Sequence, residues 1–102
     1  MQQVRVAVYT LKPGTADEVI RRAEADLVGR FRSEVGFVAY GLVKTGDDAV
    51  ISLSIWDLAD QATAAVQIAA GWEQESLGGM VDAVENHLGS LAFFWALVAI
   101  GR

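Results

Sequence analysis

The chain has 102 residues, 53% of them hydrophobic and 21% charged, with a formal net charge of −5. That length holds one compact core, and the balance suits a folded domain spanning residues 1–102 while excluding a disordered or low-complexity chain. The acidic charge disfavours nucleic acid and anionic membrane as partners; the absence of cysteine removes disulfides, thiolate catalysis and most structural zinc sites, and the single histidine excludes a multi-histidine metal centre.

The first residues, Met1 to Val4, lack the basic flank and apolar run of a signal peptide, so a cytoplasmic location is expected. The most apolar stretch, Leu91 to Ile100, is about half the roughly 20 residues a membrane helix needs. Charge is uneven: residues 1–50 carry seven bases and seven acids, whereas residues 51–102 carry six acids and one base, Arg102.

From Val4 to Leu11 the chain is rich in β-branched residues, which predicts a strand with Val4, Val6, Val8 and Thr10 on one face and Arg5, Ala7, Tyr9 and Leu11 on the other. Lys12-Pro13-Gly14 stops it. Thr15 followed by Glu18 has capping-box spacing and predicts a helix with Val19, Ala23, Leu27 and Phe31 on its apolar face, supported by Glu18–Arg22 and Asp26–Arg30 pairs. Gly36 then releases a second strand, Phe37 to Val43, and a polar turn over residues 44–48 leads into a third, Ala49 to Trp56. In the third strand Ile51, Leu53 and Ile55 are expected to face a dry layer, and Val50, Ser52, Ser54 and Trp56 a less greasy one. An alanine-rich helix beginning at Asp57 or Asp60 is expected to break near Gly71-Trp72. A second helical segment, Glu73 to about Asn86, carries Leu77, Val81, Val84 and Leu88 on one stripe, and Leu91 to Ala99 is expected to form the fourth strand.

The order strand, helix, strand, strand, broken helix, strand predicts an α+β, ferredoxin-like, four-stranded antiparallel sheet with helices on one face. The other face stays apolar, and its economical cover is the same face of a second copy, which predicts a homodimer closed into a joint barrel.

Leu11-Lys-Pro-Gly-Thr-Ala-Asp-Glu-Val19, Gly36-Phe-Val-Ala-Tyr-Gly41 and Ile51-Ser-Leu-Ser-Ile-Trp-Asp57 together resemble the dimeric α/β-barrel superfamily, most closely its antibiotic biosynthesis monooxygenase-like domains. The resemblance runs from about Val4 to Ala99. It implies the ferredoxin-like fold and the dimer, and it implies one of several activities: cofactor-free oxygenation of aromatic polyketides and quinols, haem degradation, isomerisation, or none. Haem-degrading relatives carry a first-strand asparagine and a histidine after the third strand; Ala7 stands at the first position and His87 falls too late in the chain. Some quinol-oxidising relatives carry an asparagine four residues before the tryptophan ending the third strand, with a distant arginine. Here Trp56 is kept, Ser52 occupies the asparagine position, and no arginine lies between Arg32 and Arg102.

Three candidates for proton transfer emerge. His87 is of the residue type that carries protons best near neutrality, while Tyr9 and Tyr40 can orient a hydroxyl or carbonyl. Trp56 is the candidate stacking wall for a flat aromatic ligand, with Ser52 and Ser54 adding hydroxyls beside it. Each has a plain structural reading too: a helix-end histidine, core or interface aromatics, and serines relieving a crowded face. Trp72, Phe93, Phe94 and Trp95 are fold or interface residues. The pairs Glu73/Glu75 and Asp82/Glu85 lack a third ligand for a metal, and Gly78-Gly79 lacks phosphate-loop spacing, so no metal and no cofactor is expected. The expected function is a cofactor-independent oxygenase of a small aromatic or quinol-like substrate; the alternative is a non-catalytic homodimeric ligand-binding or interaction domain.

Overall fold

The computed structural model describes residues 1–96. Its elements are β1 (Gln3–Leu11), α1 (Ala16–Arg22), a π-helical turn (Ala23–Leu27), α2 (Val28–Arg32), β2 (Phe37–Gly46), β3 (Ala49–Trp56), α3 (Ala59–Ser76), a 3-10 turn (Gly78–Met80) and β4 (Val81–Ser90). The strands form one antiparallel sheet in the order β2-β3-β1-β4, with the helices on one face. This is the ferredoxin-like arrangement.

The first helical layer explains a sequence oddity. Val19, Ala23, Leu27 and Phe31 recur every four residues and all are buried. In a straight α-helix each such step overshoots a full turn by about 40°, so Phe31 would end about 120° away from Val19. The wider π turn between α1 and α2 absorbs that surplus and keeps all four on the sheet. Glu18–Arg22 and Asp26–Arg30 form the expected i,i+4 pairs. Thr15 does stand at the N-cap, but its hydroxyl donates to the Lys12 carbonyl at 2.7 Å, and Glu18 is held by Arg21 and Arg22, so the predicted capping box is not made.

The β2–β3 hairpin turns at Asp47-Asp48, with β2 running to Gly46. Gly36, with φ +88°, makes the left-handed turn into β2, and its carbonyl accepts the Asp57 N–H at 2.9 Å. The face assignment of β3 is reversed within the single chain. Val50, Ser52, Ser54 and Trp56 are each 2% exposed or less beneath the helices, while Leu53, on the opposite face, is 39% exposed. The helices cover the serine side because it continues Arg5, Ala7, Tyr9 and Leu11 of β1 across the sheet.

The second half departs most from expectation. The predicted break at Gly71-Trp72 is absent: α3 runs unbroken, burying Ala62, Ala65, Ala69 and Trp72 at alternating three- and four-residue steps. Alanines let the helix lie close to the sheet, and a single glycine costs only about 1 kcal/mol, too little to break a helix so anchored. The predicted helix from Glu73 to Asn86 and the predicted fourth strand from Leu91 to Ala99 are both corrected. The helix ends at Ser76, Gly78 with φ +55° turns the chain, and β4 is Val81–Ser90, paired along β1. Val81, Val84 and Leu88 mimic helical spacing, but a bulge at Thr10/Leu11 lets Val81 meet Leu11 while Val84 meets Tyr9. Ladder pairing with β1 outweighs a weak helical stripe. Leu91 to Ala96 has no regular structure, and residues 97–99 of the expected strand lie outside the described residues.

Candidate functional site

Strand alternation and register place Tyr9, Tyr40, Ser52, Ser54 and Trp56 on the helix-covered face. His87 is in β4, not at a helix end, and pairs with Val6 on the opposite, uncovered face, where its Nε2 lies 3.3 Å from Glu85 Oε1. The sheet stands between it and the two phenols.

Trp56 is enclosed. Its indole N–H donates to Ser54 Oγ at 2.9 Å, and its ring packs edge-to-face against Phe31 and Phe37, with centroids at 5.3 and 5.5 Å. Phe31 also meets Tyr40 edge-on at 5.0 Å. Trp56 and Ser54 therefore satisfy one another, and the tryptophan braces the aromatic wall behind Tyr40.

The polar centre is built on Arg5, which sequence reasoning passed over. It is 1% exposed. Its Nε donates to Asn86 Oδ1 at 2.8 Å and its Nη2 to the Tyr9 hydroxyl at 3.1 Å; that hydroxyl donates in turn to Glu73 Oε2 at 2.5 Å. β1 and α3 thus set a cation, a phenol and a carboxylate in series, with the Asn86 amide of β4 holding the cation. The signal was a charged residue on a strand face otherwise made of Ala7, Tyr9 and Leu11; Asn86 and Glu73 could not be joined to it while residues 73–86 were read as one helix. Arg5 Nη1, Ser52 Oγ and Trp72 Nε1 are buried without a hydrogen-bond partner among the described residues.

Burial, above all, drives the Tyr9 phenol well above the ordinary tyrosine range; the Arg5 charge opposes this, and the neighbouring Glu73 reinforces it. Burial likewise pushes Tyr40 up to about 12, with Ser52 and Arg5 pulling the other way. The Glu73 carboxyl is raised by burial against the opposing pull of Tyr9 and Arg5. A stability consequence follows for the phenols. In the unfolded chain both ionise near the ordinary value of about 10, whereas the folded state keeps its protons to higher pH, so stability is full below pH ~10 and falls as pH rises toward and through ~12. Because the chain has two tyrosines, phenolate absorbance should stay silent up to pH ~10 and then rise together with loss of helical circular dichroism. Phenolate appearing in a still-folded protein near pH 10 would contradict it.

A groove of about 270 Å³ opens between Ile20, Glu24 and Val28 of the helical layer and Tyr40, Gly41 and Leu42 of β2. The π turn contributes Glu24 to its rim, a placement typical of π turns at functional sites. Beneath it, a void of about 10 Å³ is bounded by Tyr9, Tyr40, Leu42 and Trp72 among others, room for one water. Tyr40 and Leu42 belong to both spaces and separate them. Among the described residues no group of three His, Asp or Glu side chains could hold a metal ion, and no helix is long and apolar enough to cross a membrane.

The fold is that of the antibiotic-biosynthesis-monooxygenase-like structures. Three solved structures illustrate the match. A protein of unknown function from Nitrosomonas europaea is 14% identical, with TM-score 0.75 and 96% of each chain covered. SnoaB, a cofactor-independent oxygenase from Streptomyces nogalater, is 17% identical, with TM-score 0.70, covering 91% of this chain and 95% of its own. A monooxygenase from Streptomyces coelicolor in complex with nanaomycin D is 15% identical, with TM-score 0.70, covering 96% and 92%. At these identities the likeness is one of fold. No family model matches the chain, and no curated protein matches it.

Proposed function

We propose that the chain binds a small aromatic or quinol-like molecule in the groove beside Tyr40 and oxidises it with dioxygen, using no cofactor. The observation that carries this reading is the open groove of about 270 Å³ lined by Tyr40, on the same helix-covered side of the sheet as the Arg5–Tyr9–Glu73 centre. Two structures of the same fold support it, one described as a cofactor-independent oxygenase and one a monooxygenase in complex with nanaomycin D. In such a reaction an activated methylene of the ligand becomes a carbonyl: dioxygen gives one oxygen atom to carbon and the other leaves as water with the two hydrogens. The protein's share is to favour the deprotonated ligand, fix its orientation and exclude bulk water. Tyr9 and Tyr40 are the hydrogen-bonding groups in this reading, and Ser52 is a further polar contact. His87 takes no part, since it faces away from the groove. Oxygen uptake measured with hydroxyaromatic substrates should show turnover that falls in Tyr40→Phe.

A second reading has its own support. The space bounded by Tyr9, Tyr40 and Trp72 is only about 10 Å³, and the donor of Trp56 is already taken, as in a non-catalytic binding domain. Confirmed binding without oxygen uptake would select it.

In either reading we infer a homodimer. Val8, Val43 and Leu53 are exposed apolar residues on the sheet face that no helix among the described residues covers, a face that a second copy of itself would bury. Leu53→Asp, placed at its centre, is expected to shift the protein to monomer in sedimentation velocity; an unchanged dimer would locate the interface elsewhere.

A further inference from the structure

Ile20, Glu24 and Val28 recur every four residues, in step with the buried stripe beside them, and form the helical side of the groove. In a straight α-helix this second stripe would also drift by about 40° at each step. The π turn that holds the buried stripe on the sheet holds this one along the groove, so Glu24 stands between two half-buried apolar side chains.

Glu24 carries the one formal charge among the described residues that line the groove. The bases nearest to the lining residues along the chain are engaged elsewhere: Arg21 and Arg22 with Glu18, Arg30 with Asp26, and Lys44 with Asp17. An anionic ligand entering here would meet a carboxylate and no lining base. A carboxylate has about four acceptor positions, so the interaction that Glu24 makes within the fold leaves room for a ligand donor.

Resting on the reading of the groove as a ligand site, we propose that it selects aromatic ligands by charge: the ring lies among Ile20, Val28, Tyr40 and Leu42, and a protonated amine on the ligand pairs with Glu24.

The lining fits such a ligand group by group. Apolar side chains and a tyrosine ring cover an aromatic body, and an organic ammonium gains both from a carboxylate and from an aromatic ring near it. A phenol bearing a carboxylic acid, equally aromatic, would set two like charges together in the same groove. Rings of equal size are therefore told apart by the sign of their substituent. Because Glu24 is exposed at the rim, each unit of ligand charge is worth only about fivefold in affinity, and salt weakens the effect.

The test compares tyramine, 4-ethylphenol and 3-(4-hydroxyphenyl)propionate at about pH 7, three phenols whose ethyl side chains carry a positive, no and a negative charge. Affinities come from NMR titration, with the Gly41 amide reporting that the groove is occupied. Wild-type protein should bind tyramine about fivefold more tightly than 4-ethylphenol and the propionate about fivefold more weakly, a spread that shrinks in about 1 M salt. Glu24→Gln should bring all three within about twofold of one another. Asp60→Asn, which removes an equal charge from an exposed residue outside the groove, should leave the order unchanged. Equal affinities on wild-type protein, or an order that survives Glu24→Gln, overturn the charge selection and leave the groove standing as a ligand site. Loss of the order in Asp60→Asn overturns Glu24 as its source. Failure of all three probes to shift Gly41 overturns the selection and the ligand reading together.

Discussion

Truncating Phe31 to alanine should lower stability by about 3–5 kcal/mol, the range for deleting a fully buried phenyl ring. The ring is 0% exposed and lies edge-on to both Tyr40 and Trp56, at 5.0 and 5.3 Å. No neighbour can collapse into the space easily: Trp56 is held by its bond to Ser54, and Tyr40 is fixed in the β2 backbone ladder. Urea unfolding would measure the loss. If the groove binds a ligand as proposed, the same variant should alter its affinity, because Phe31 meets the Tyr40 ring edge-on behind the groove. A loss below about 1 kcal/mol would mean that the aromatic cluster repacks, and that Tyr40 is not braced as described.

Gly36→Ala should cost about 2–3 kcal/mol from two separable sources. The first is backbone strain: at φ +88° a Cβ crowds its own chain. The second is a collision, because that Cβ would fall on the side-chain amide of Gln61. Gln61 Oε1 accepts the Leu58 N–H at 2.9 Å at the start of α3, so moving it aside also uncaps the helix. The two sources can be divided by repeating the substitution in a Gln61→Ala background. There the collision is gone and only the backbone cost of about 1–2 kcal/mol should remain. Equal losses in both backgrounds would show that Gln61 yields freely and that strain alone matters.

The fold was legible where local chemistry and tertiary pairing agree. β-branched alternation in β1, the glycine at residue 36 and the polar hairpin turn all pointed where the chain goes, and strand order followed from element order. Legibility failed from Gly71 onward because the local signals there are weak or double. Gly71 resembles a break, but the buried alanines around it anchor the helix. Val81, Val84 and Leu88 fit a helical stripe as well as a bulged strand, and only the ladder with β1 decides between them. That one misreading hid the polar centre: Asn86 faces Arg5 only from a strand, and Glu73 reaches Tyr9 only from the last turns of a continuous helix. The pocket candidates fared by face. Tyr9, Tyr40, Ser52, Ser54 and Trp56 alternate on strands that were correctly placed and so share one side. His87 lay in the misread segment, and its side could not be known.

The π turn between α1 and α2 makes chain length, and not only residue identity, a variable of this helical layer. It holds one residue more than a straight rod between the same two ends would need. With Ala25, an exposed residue of that turn, removed, Val19 and Phe31 would be eleven positions apart, within about 20° of a whole number of α-helical turns. Both would still face the sheet, and the layer would close as an ordinary helix without the widened rim beside the groove. A deletion anywhere else along α1 or α2 would leave the wide turn in place and rotate one end by about 100°. A relative one residue shorter in this stretch would keep the same core and present a differently shaped entrance.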